Sequence, residues 1–353
     1  MAYAGVINKY RELLDIPDHT IPITLHEGNT PLIPLPELAK EWGGGFNLYV
    51  KYEGLNPTGS FKDRGMTTAI SEAVGRNVKS VICASTGNTA ASAAAYAAHA
   101  GLQSYVLIPQ GKVAMGKLAG AMAYGAKVIQ IHGSFDDALK LVVQLCDKLP
   151  IGLVNSLNPY RLEGQKTAAF EICEDLGKAP DYLCIPVGNA GNISAYWMGF
   201  TQYNQQHNTG LPRLLGVQAS GAAPLVLGHP VDSPETIATA IRIGRPARGE
   251  QALTAASESG GKIIAVDDDT ILKMQVLLAS HGIWVEPAST AGLAGLRSEI
   301  LNGHIDPVGK TFVAICTGHG LKDPDVMLRD IKQPVEIEVD INSLENIVQK
   351  GTK

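Results

Sequence analysis

The chain has 353 residues, of which 45% are hydrophobic and 18% charged, a composition typical of a globular protein with a large buried core. It is longer than a single core usually extends, so we expect two domains. The formal net charge is −5 and the sequence contains no run of basic residues. These properties argue against nucleic acid and anionic membrane as partners.

The apolar segments, cysteines and histidines argue against a membrane-spanning, exported, disulfide-bonded or metal-binding protein. The longest apolar stretch, Thr89 to Ala98, is shorter than the roughly 20 residues that span a bilayer, and the first residues lack the segments of an export signal. We therefore expect a cytoplasmic protein without a membrane partner. The five cysteines form no CxxC pair and the histidines no HExxH-like pair, so we predict buried reduced thiols and no metal site.

From Ser80 onward, apolar segments of strand length alternate with alanine-rich or amphipathic helical segments, which is typical of parallel α/β units. The predicted strands of a first group are SVICA (Ser80–Ala84), SYVLIP (Ser104–Pro109), KVIQI (Lys127–Ile131) and GLVN (Gly152–Asn155). Those of a second group are YLCIPV (Tyr182–Val187), LLGVQ (Leu214–Gln218), KIIAV (Lys262–Val266) and TFVAIC (Thr311–Cys316). Predicted helices lie around them at residues 90–100, 114–124, 136–148, 162–176, 194–205, 268–280 and 291–301.

Strands with so little polar alternation are predicted to be buried on both faces. The sequence therefore predicts an α/β fold with two doubly wound, three-layer (αβα) domains, mainly parallel sheets and a cleft between them. Glu27 to Pro36 contains three prolines and is predicted to be irregular and to cross the surface. Gly221 to Gly261 is predicted to be rich in loops, and the PVEIEVDIN segment after Asp325 to add an edge strand.

Ligands of such sheets bind beyond the carboxyl ends of the strands, and small polar residues follow the predicted strand SVICA. In STGNTAAS, the side chains of Ser85, Thr86, Asn88 and Thr89 stand at a helix N-terminus, a position that attracts anions such as carboxylate. Helix capping alone is the alternative interpretation. Three hydroxyls and an amide exceed what a cap requires.

Three further segments follow strands. In GNAGN (Gly188–Asn192), glycines allow positive φ and let successive N–H groups converge on a phosphate, with a plain turn as the alternative. In TGHG, the Thr317 hydroxyl can meet a ligand ring atom, although Thr-Gly is also common in turns. In NSLNPYR (Asn155–Arg161), amides and a guanidinium suit a second phosphate or carboxylate, with a solvated turn as the alternative.

Lys62 follows a Pro-Thr-Gly-Ser turn at the predicted start of a helix, where a positive charge opposes the helix dipole. A solvent-facing lysine is the usual interpretation. In a cleft, however, a partly desolvated amine can form a Schiff base with a carbonyl cofactor and then act as a base. One amine, one phosphate-binding loop and one ring-facing hydroxyl together indicate pyridoxal phosphate.

The order of these motifs resembles that of the fold-type II pyridoxal-phosphate enzymes, and among them the threonine synthases. The resemblance covers most of the chain and rests on EGNTPL, PTGSFKDRG, STGNTAAS, PQGKVAMGKLAGAMAYGA, VNSLNPYRLEGQKT, PVGNAGN, ATAIRIG, EPASTA and CTGHGLKDP. NSLNPYRLEGQKT is the most specific of these. GRPARG (Gly244–Gly249) departs from the GNPxSW pattern of some relatives, so the resemblance predicts no role for that loop.

The resemblance implies a role for each candidate residue. Lys62 is expected to hold the pyridoxal 5'-phosphate covalently and move protons, Asn88 to bind the ring hydroxyl, and Thr317 to face the pyridine nitrogen. The cofactor phosphate is expected to bind Gly188, Asn189, Ala190, Gly191 and Asn192. The substrate carboxylate is expected to bind Ser85, Thr86 and Thr89, and the substrate phosphate Asn155, Ser156, Arg161 and Asn189.

The implied reaction converts O-phospho-L-homoserine and water to L-threonine and phosphate, by loss of phosphate from the γ carbon and addition of water at the β carbon. The alternative is a threonine or serine dehydratase of the same fold, which needs no second phosphate site. Relatives are commonly dimers, so a homodimer is expected. Residues 1–55 and 160–353 are expected to form a larger domain, and residues 56–159 a smaller, mobile one.

Overall fold

The computed structural model describes residues 2–110, 115–328 and 334–351. The described residues up to Asp323 form one compact unit, and those from Pro324 onward form a second. Residues 111–114, which belong to the PQGKVAMGKLAGAMAYGA motif and include the first residue of the helix predicted over 114–124, lie outside the described residues.

The first unit contains two sheets. Their strands are β1 (Leu32–Pro34), β2 (Asn47–Tyr52), β3 (Ser80–Ala84), β4 (Gln103–Pro109), β5 (Lys127–Ile131), β6 (Gly152–Leu153), β7 (Tyr182–Pro186), β8 (Arg213–Ala219), β9 (Lys262–Val266) and β10 (Thr311–Cys316). A six-stranded sheet has the order β1-β2-β10-β7-β8-β9, and a four-stranded sheet has the order β5-β4-β3-β6. β1 runs antiparallel to β2, and the other pairings between these strands are parallel.

Helices connect the strands. Those of the first unit are α1 (Val6–Tyr10), α2 (Pro36–Glu41), α3 (Lys62–Gly75), α4 (Asn88–His99), α5 (Met115–Ala123), α6 (Phe135–Lys148), α7 (Pro159–Leu176), α8 (Gly191–His207), α9 (Pro224–Leu227), α10 (Gly249–Glu258), α11 (Asp268–Ser280) and α12 (Pro287–Leu301). The second unit contains α13 (Asp325–Leu328) and α14 (Ile341–Gly351). Among the described residues, no helix is long and apolar enough to cross a membrane.

Both sheets are covered by helices on both faces. In the four-stranded sheet, α3, α4 and α5 pack on one face and α6 on the other. In the six-stranded sheet, α7, α8 and α10 pack on one face and α2, α11 and α12 on the other. Along β10, Phe312 and Ala314 enter one core while Val313 and Ile315 enter the other. The predicted α/β fold with two doubly wound, mainly parallel sheets is therefore confirmed.

Three details of the prediction are wrong, and one holds only in part. β5 is an edge strand with exposed residues at Lys127, Ile129 and Gln130, because an edge has a neighbour on only one side. The predicted surface segment 27–36 instead contains the buried Glu27 and contributes β1. The stretch 221–261 has no α-helix between residues 228 and 248, in agreement with the predicted loops, but it ends with the ten-residue helix α10. The PVEIEVDIN segment forms no strand in the described residues 334–342. Alternating apolar and polar residues give a strand one apolar face, but a strand also needs a neighbouring strand to pair with.

A buried ionic cluster joins the end of β2 to α3 and α7. The Arg64 guanidinium in α3 lies 2.6 Å from carboxylate oxygens of both Glu53 and Glu171, and all three side chains are at most 3% exposed. The Lys51 amine lies 2.9 Å from Glu171. Burial raises the pKa of Glu171, but Arg64 and then Lys51 outweigh it and lower that pKa to about 2. The cluster ties β2, the turn after it, α3 and α7 together.

Helices α3 and α7 also approach each other closely at a glycine. A Cβ atom at Gly164 of α7 would collide with the carbonyl oxygen of Arg64 in α3. The crossing therefore places backbone against backbone, and α3 cannot move away from α7 without breaking the ionic cluster.

We expect Arg64→Met to lower the free energy of unfolding by about 3 to 5 kcal/mol, because it leaves Glu53 and Glu171 buried with less positive charge beside them. Denaturant unfolding of the purified protein measures this. Lys9→Met is the matched control, since Lys9 and Glu174 pair at 2.5 Å with both side chains about one-third exposed, and such pairs contribute about 1 kcal/mol or less. Equal losses in the two variants would contradict the importance of the buried cluster.

Candidate active site

The turn before Lys62 is held by its neighbours on both sides. The Thr58 N–H and hydroxyl both donate to the Asp63 carboxylate at 2.6 Å, and the Ser92 hydroxyl of α4 donates to the same carboxylate at 2.6 Å. On the other side, the Phe61 N–H donates to the Thr317 carbonyl at 2.9 Å. α3 then begins at Lys62, so the structure places the amine at a helix start, as the sequence predicts.

The Lys62 amine is perturbed by its surroundings. Its side chain is partly buried, and Nζ lies 4.3 Å from the centroid of the Phe61 ring. Desolvation, and then the nearby Arg161 charge, lower the pKa of Lys62 to about 7, while Glu286 acts in the opposite direction. A lysine with this pKa is substantially neutral at physiological pH, which is the form that attacks a carbonyl carbon.

The segment after β3 carries the predicted hydroxyls and amide. Ser85, Thr86, Asn88 and Thr89 are all partly buried, and α4 begins at Asn88. The Asn88 Nδ2 atom donates to both carboxylate oxygens of Glu286, at 3.0 and 3.1 Å. The amide group of Asn88 is thereby oriented, with its carbonyl oxygen turned away from Glu286.

Glu286 and Ser289 are residues to which sequence analysis assigns no role, although both lie in the EPASTA motif. Glu286 is buried and orients Asn88. The Ser289 hydroxyl lies 2.9 Å from the Thr317 hydroxyl and accepts a 2.8 Å bond from the Gly318 N–H. Ser289 donates its single hydroxyl proton to the Gly318 carbonyl at 3.2 Å, so the Thr317 hydroxyl can donate to Ser289 or to a ligand, but not to both. Their motif is the signal that could have identified them.

The GNAGN loop after β7 forms the N-terminus of α8. Its left-handed residue is Ala190, with φ of +64°, and neither Gly188 nor Gly191 has a positive φ, so that part of the prediction is wrong. A Cβ at Gly188 would lie 3.0 Å from the Ile241 Cα, so this glycine is explained by close packing. The buried Asn192 side chain has neither Nδ2 nor Oδ1 bonded within the described part of the chain.

The segment after β6 places a buried cation against the first turn of α3, where a Cβ at Gly65 would lie 2.7 Å from Arg161 Nε. Arg161 is 1% exposed, its Nη1 donates to the Val154 carbonyl at 2.8 Å, and its Nε has no hydrogen-bond partner among the described residues. Burial lowers the pKa of Arg161 to about 10, against the influence of Cys83 and Asp63. Such a group is stabilised by an anion.

The other two predicted residues of this segment differ in their surroundings. The Asn155 amide bonds the backbone N–H and carbonyl of Ala84, both at 2.9 Å, which joins the ends of β3 and β6. One Nδ2 proton of Asn155 remains for a ligand. Ser156 is partly buried, and its carbonyl oxygen accepts a 3.0 Å bond from Arg248 Nε.

The GRPARG loop, for which sequence analysis predicts no role, lies against both phosphate-binding candidates. The Ala247 N–H donates to Asn189 Oδ1 at 3.2 Å, and Arg248 reaches the segment after β6. The Asn155–Ala84 bond adds the end of β3, and the Phe61–Thr317 bond adds the end of β10. The carboxyl ends of β3, β6, β7 and β10 therefore meet in one site, where ligands of parallel sheets bind.

The residues of this site fit a pyridoxal phosphate group. A nucleophilic amine, a helix N-terminus whose Asn192 amide has no partner among the described residues, and the Thr317 hydroxyl match an aldehyde, a phosphate and a ring nitrogen. The five cysteines are free, and the described residues contain no group of three or more His, Cys, Asp or Glu able to hold a metal ion.

The model of the family described as "Pyridoxal-phosphate dependent enzyme" matches residues 23–318. The chain belongs to this family. Pyridoxal 5'-phosphate is therefore its cofactor, as the sequence predicts.

The chain is also similar to individual relatives and to solved structures. It is 56% identical to the threonine synthase of Halalkalibacterium halodurans over 93% of this chain and 92% of the relative. It is 55% identical to that of Mycobacterium tuberculosis, over 96% and 94% of the two chains. In structure it is similar to maize serine racemase, with a TM-score of 0.74, 21% identity and 99% and 100% of the chains covered. A similarity at this identity shows the shared fold.

We expect covalent attachment of pyridoxal 5'-phosphate to the cofactor-free protein to accelerate with pH around a midpoint near 7 and then to level off, because only the neutral Lys62 amine attacks and burial lowers its pKa to about 7. Borohydride trapping after short incubations, followed by peptide mapping, measures the rate. Lys62→Ala lacks this amine and gives the background labelling. A rate that still rises through pH 9, as for a lysine with an ordinary pKa near 10.4, would contradict this assignment.

We expect Asn192→Ala to weaken binding of pyridoxal 5'-phosphate by about 1 to 2 kcal/mol, because the buried amide finds its hydrogen-bond partners in the ligand. The melting temperature of the cofactor-free variant should not fall, since in that state Asn192 Nδ2 and Oδ1 have no partner among the described residues. Cofactor titration followed by absorbance and a thermal melt check the two parts. Asn302→Ala serves as the control, since Asn302 is exposed and has an ordinary φ of −82°. A lower melting temperature of Asn192→Ala with unchanged cofactor affinity would show a purely structural role.

Proposed function

We propose that the protein is a threonine synthase, a lyase that converts O-phospho-L-homoserine and water to L-threonine and inorganic phosphate. Relatives with that name share 51–56% identity over 93–99% of the chain. The observation that carries the proposal is Arg161, a fully buried guanidinium that packs against Gly65, three residues after Lys62, and whose Nε is unpartnered among the described residues. It supports a second anion site in addition to the GNAGN loop, as a substrate with its own phosphate requires.

The proposed cofactor contacts follow the sequence-based assignment. Lys62 holds the cofactor, Asn88 binds its ring hydroxyl, and the loop from Gly188 through Asn189, Ala190 and Gly191 to Asn192 binds its phosphate. Thr317 donates a hydrogen bond to the ring nitrogen, and a neutral hydroxyl does not require that nitrogen to be protonated. When bound, the cofactor supplies an electron sink for charge that develops at the substrate carbons.

Proton transfer in this proposal belongs to Lys62. Because its pKa is lowered to about 7, the amine can accept a proton from a substrate carbon and return one at neutral pH without a large energetic cost in either direction. The Phe61–Thr317 bond and the Asp63 contacts keep the start of α3 in place, so that the amine stays near the reacting carbons while protons are exchanged.

The substrate is proposed to bind through its two ends. The carboxylate lies on the hydroxyls of Ser85, Thr86 and Thr89, which are supported by the N-terminus of α4. The phosphate binds Arg161, the remaining Nδ2 proton of Asn155, the Ser156 hydroxyl and the Asn189 amide. Two anchors at opposite ends fix the α, β and γ carbons relative to the amine.

A threonine or serine dehydratase is the alternative within this fold. Two threonine deaminases are structurally similar to the chain, with TM-scores of 0.70 and 0.66 at 21% and 25% identity. A dehydratase substrate carries no phosphate and would leave Arg161 without an anion, which favours the threonine synthase. A homodimer, a cytoplasmic location and a mobile domain over residues 56–159 stay predictions.

The decisive measurement incubates the purified holoenzyme with O-phospho-L-homoserine and assays threonine and phosphate together. Equal amounts of the two products are expected, and Lys62→Ala should form neither. If the enzyme instead produces 2-oxo acid from threonine and no threonine from O-phospho-L-homoserine, the dehydratase replaces the proposed function.

We expect Arg161→Ala to reduce the affinity for O-phospho-L-homoserine by about 2 to 4 kcal/mol, because a buried charge-assisted contact to phosphate is lost. The melting temperature should change little, since the desolvation cost that is relieved when the buried cation is removed offsets the lost bond to the Val154 carbonyl. Steady-state kinetics give the effect as an increase in KM. Arg213→Ala, an exposed arginine at the opposite end of the six-stranded sheet, is the control. An unchanged KM would show that the phosphate binds elsewhere.

A further inference from the structure

Arg248 occupies a position that local rules disfavour. It is the N-cap residue of α10, where Ser, Thr, Asn and Asp are preferred and where a positive charge opposes the helix dipole. Its side chain makes no capping hydrogen bond and is half-buried. A residue in conflict with its local position is expected to serve a function elsewhere.

The guanidinium of Arg248 binds the backbone of the turn between β6 and α7. Nε donates to the Ser156 carbonyl at 3.0 Å and Nη2 to the Leu157 carbonyl at 3.3 Å. Nη1 donates to Gln251 Oε1 at 2.9 Å, which orients the guanidinium from within α10. These three acceptors are uncharged, so the contacts leave the positive charge available to an anion.

Arg248 also lies beside the loop that binds the cofactor phosphate. A Cβ at Gly191 would lie 3.7 Å from the Arg248 Cδ, and the preceding Ala247 N–H bonds Asn189. The side chain therefore spans two segments, one that follows β7 of the six-stranded sheet and one that follows β6 of the four-stranded sheet. Both are segments to which phosphate binding is assigned above.

We propose that Arg248 is a positioning residue that holds the Ser156–Leu157 backbone against the GNAGN loop and thereby sets the affinity for the phosphate of the substrate. The inference rests on the proposed function. A planar guanidinium that bonds two successive carbonyls fixes the orientation of the turn, which a single ammonium group cannot do. Ordering the turn before the ligand arrives removes part of the entropic cost of binding.

The test compares Arg248→Met, Arg248→Gln and Arg248→Lys with the matched control Arg245→Met in the holoenzyme. Arg245 belongs to the same loop but is exposed and pairs with Asp232 at 2.6 Å. Steady-state kinetics give KM and kcat for O-phospho-L-homoserine, and calorimetry without substrate gives the Kd of inorganic phosphate. A thermal melt identifies any variant that fails to fold, and the folded ones decide the result.

We expect KM and the phosphate Kd to rise about tenfold in Arg248→Met and Arg248→Gln, the effect of losing a charge-assisted contact, with kcat changed less than about twofold. Arg248→Lys should recover only part of this, and Arg245→Met should match the wild type. Values within twofold of Arg245→Met, or full recovery by lysine, overturn the inference. If the wild type forms no threonine, the proposed function fails, and the phosphate Kd values alone then decide the role of Arg248.

Discussion

The position of the reactive lysine depends on the buried Arg64 guanidinium. Lys62 and Arg64 share the first turn of α3, and Arg64 is bonded to one carboxylate before the turn and to another on α7. An ion pair in the interior is stable only when both partners are held in suitable geometry. These buried ion pairs therefore hold the start of α3 in place. The Lys62 amine needs few contacts of its own to keep its position.

The site combines partly desolvated cations with few opposite charges. Lys62, Arg161 and Arg248 all have a lowered pKa, in each case mainly through burial. Burial also raises the pKa of the neighbouring Asp63 to about 6, against its hydrogen bonds from Ser92 and Thr58. A site of this kind is strained electrostatically until anions enter it, so relief of that strain adds to the affinity for phosphate and carboxylate groups.

Much of the fold follows from the sequence because strands of a parallel sheet are continuously apolar. β3, β5, β9 and β10 have the predicted limits, and the site residues were found because they directly follow such strands. The edge strand β1 and its neighbour β2 could not be found in this way, since their pattern is mixed with proline and charge. The contacts of Glu286, Ser289 and Arg248 join segments far apart in the chain, so only the folded structure reveals them.

The turn that precedes Lys62 belongs to both halves of the molecule. Its backbone is bonded to the end of β10 through Phe61 and through the bridge between Ser60 and Gly318, whereas Asp63 connects it to α4 beside the four-stranded sheet. Because the turn is bonded on both sides, the Lys62 nitrogen keeps its place relative to ligand groups that bind at the carboxyl ends of the strands of either sheet.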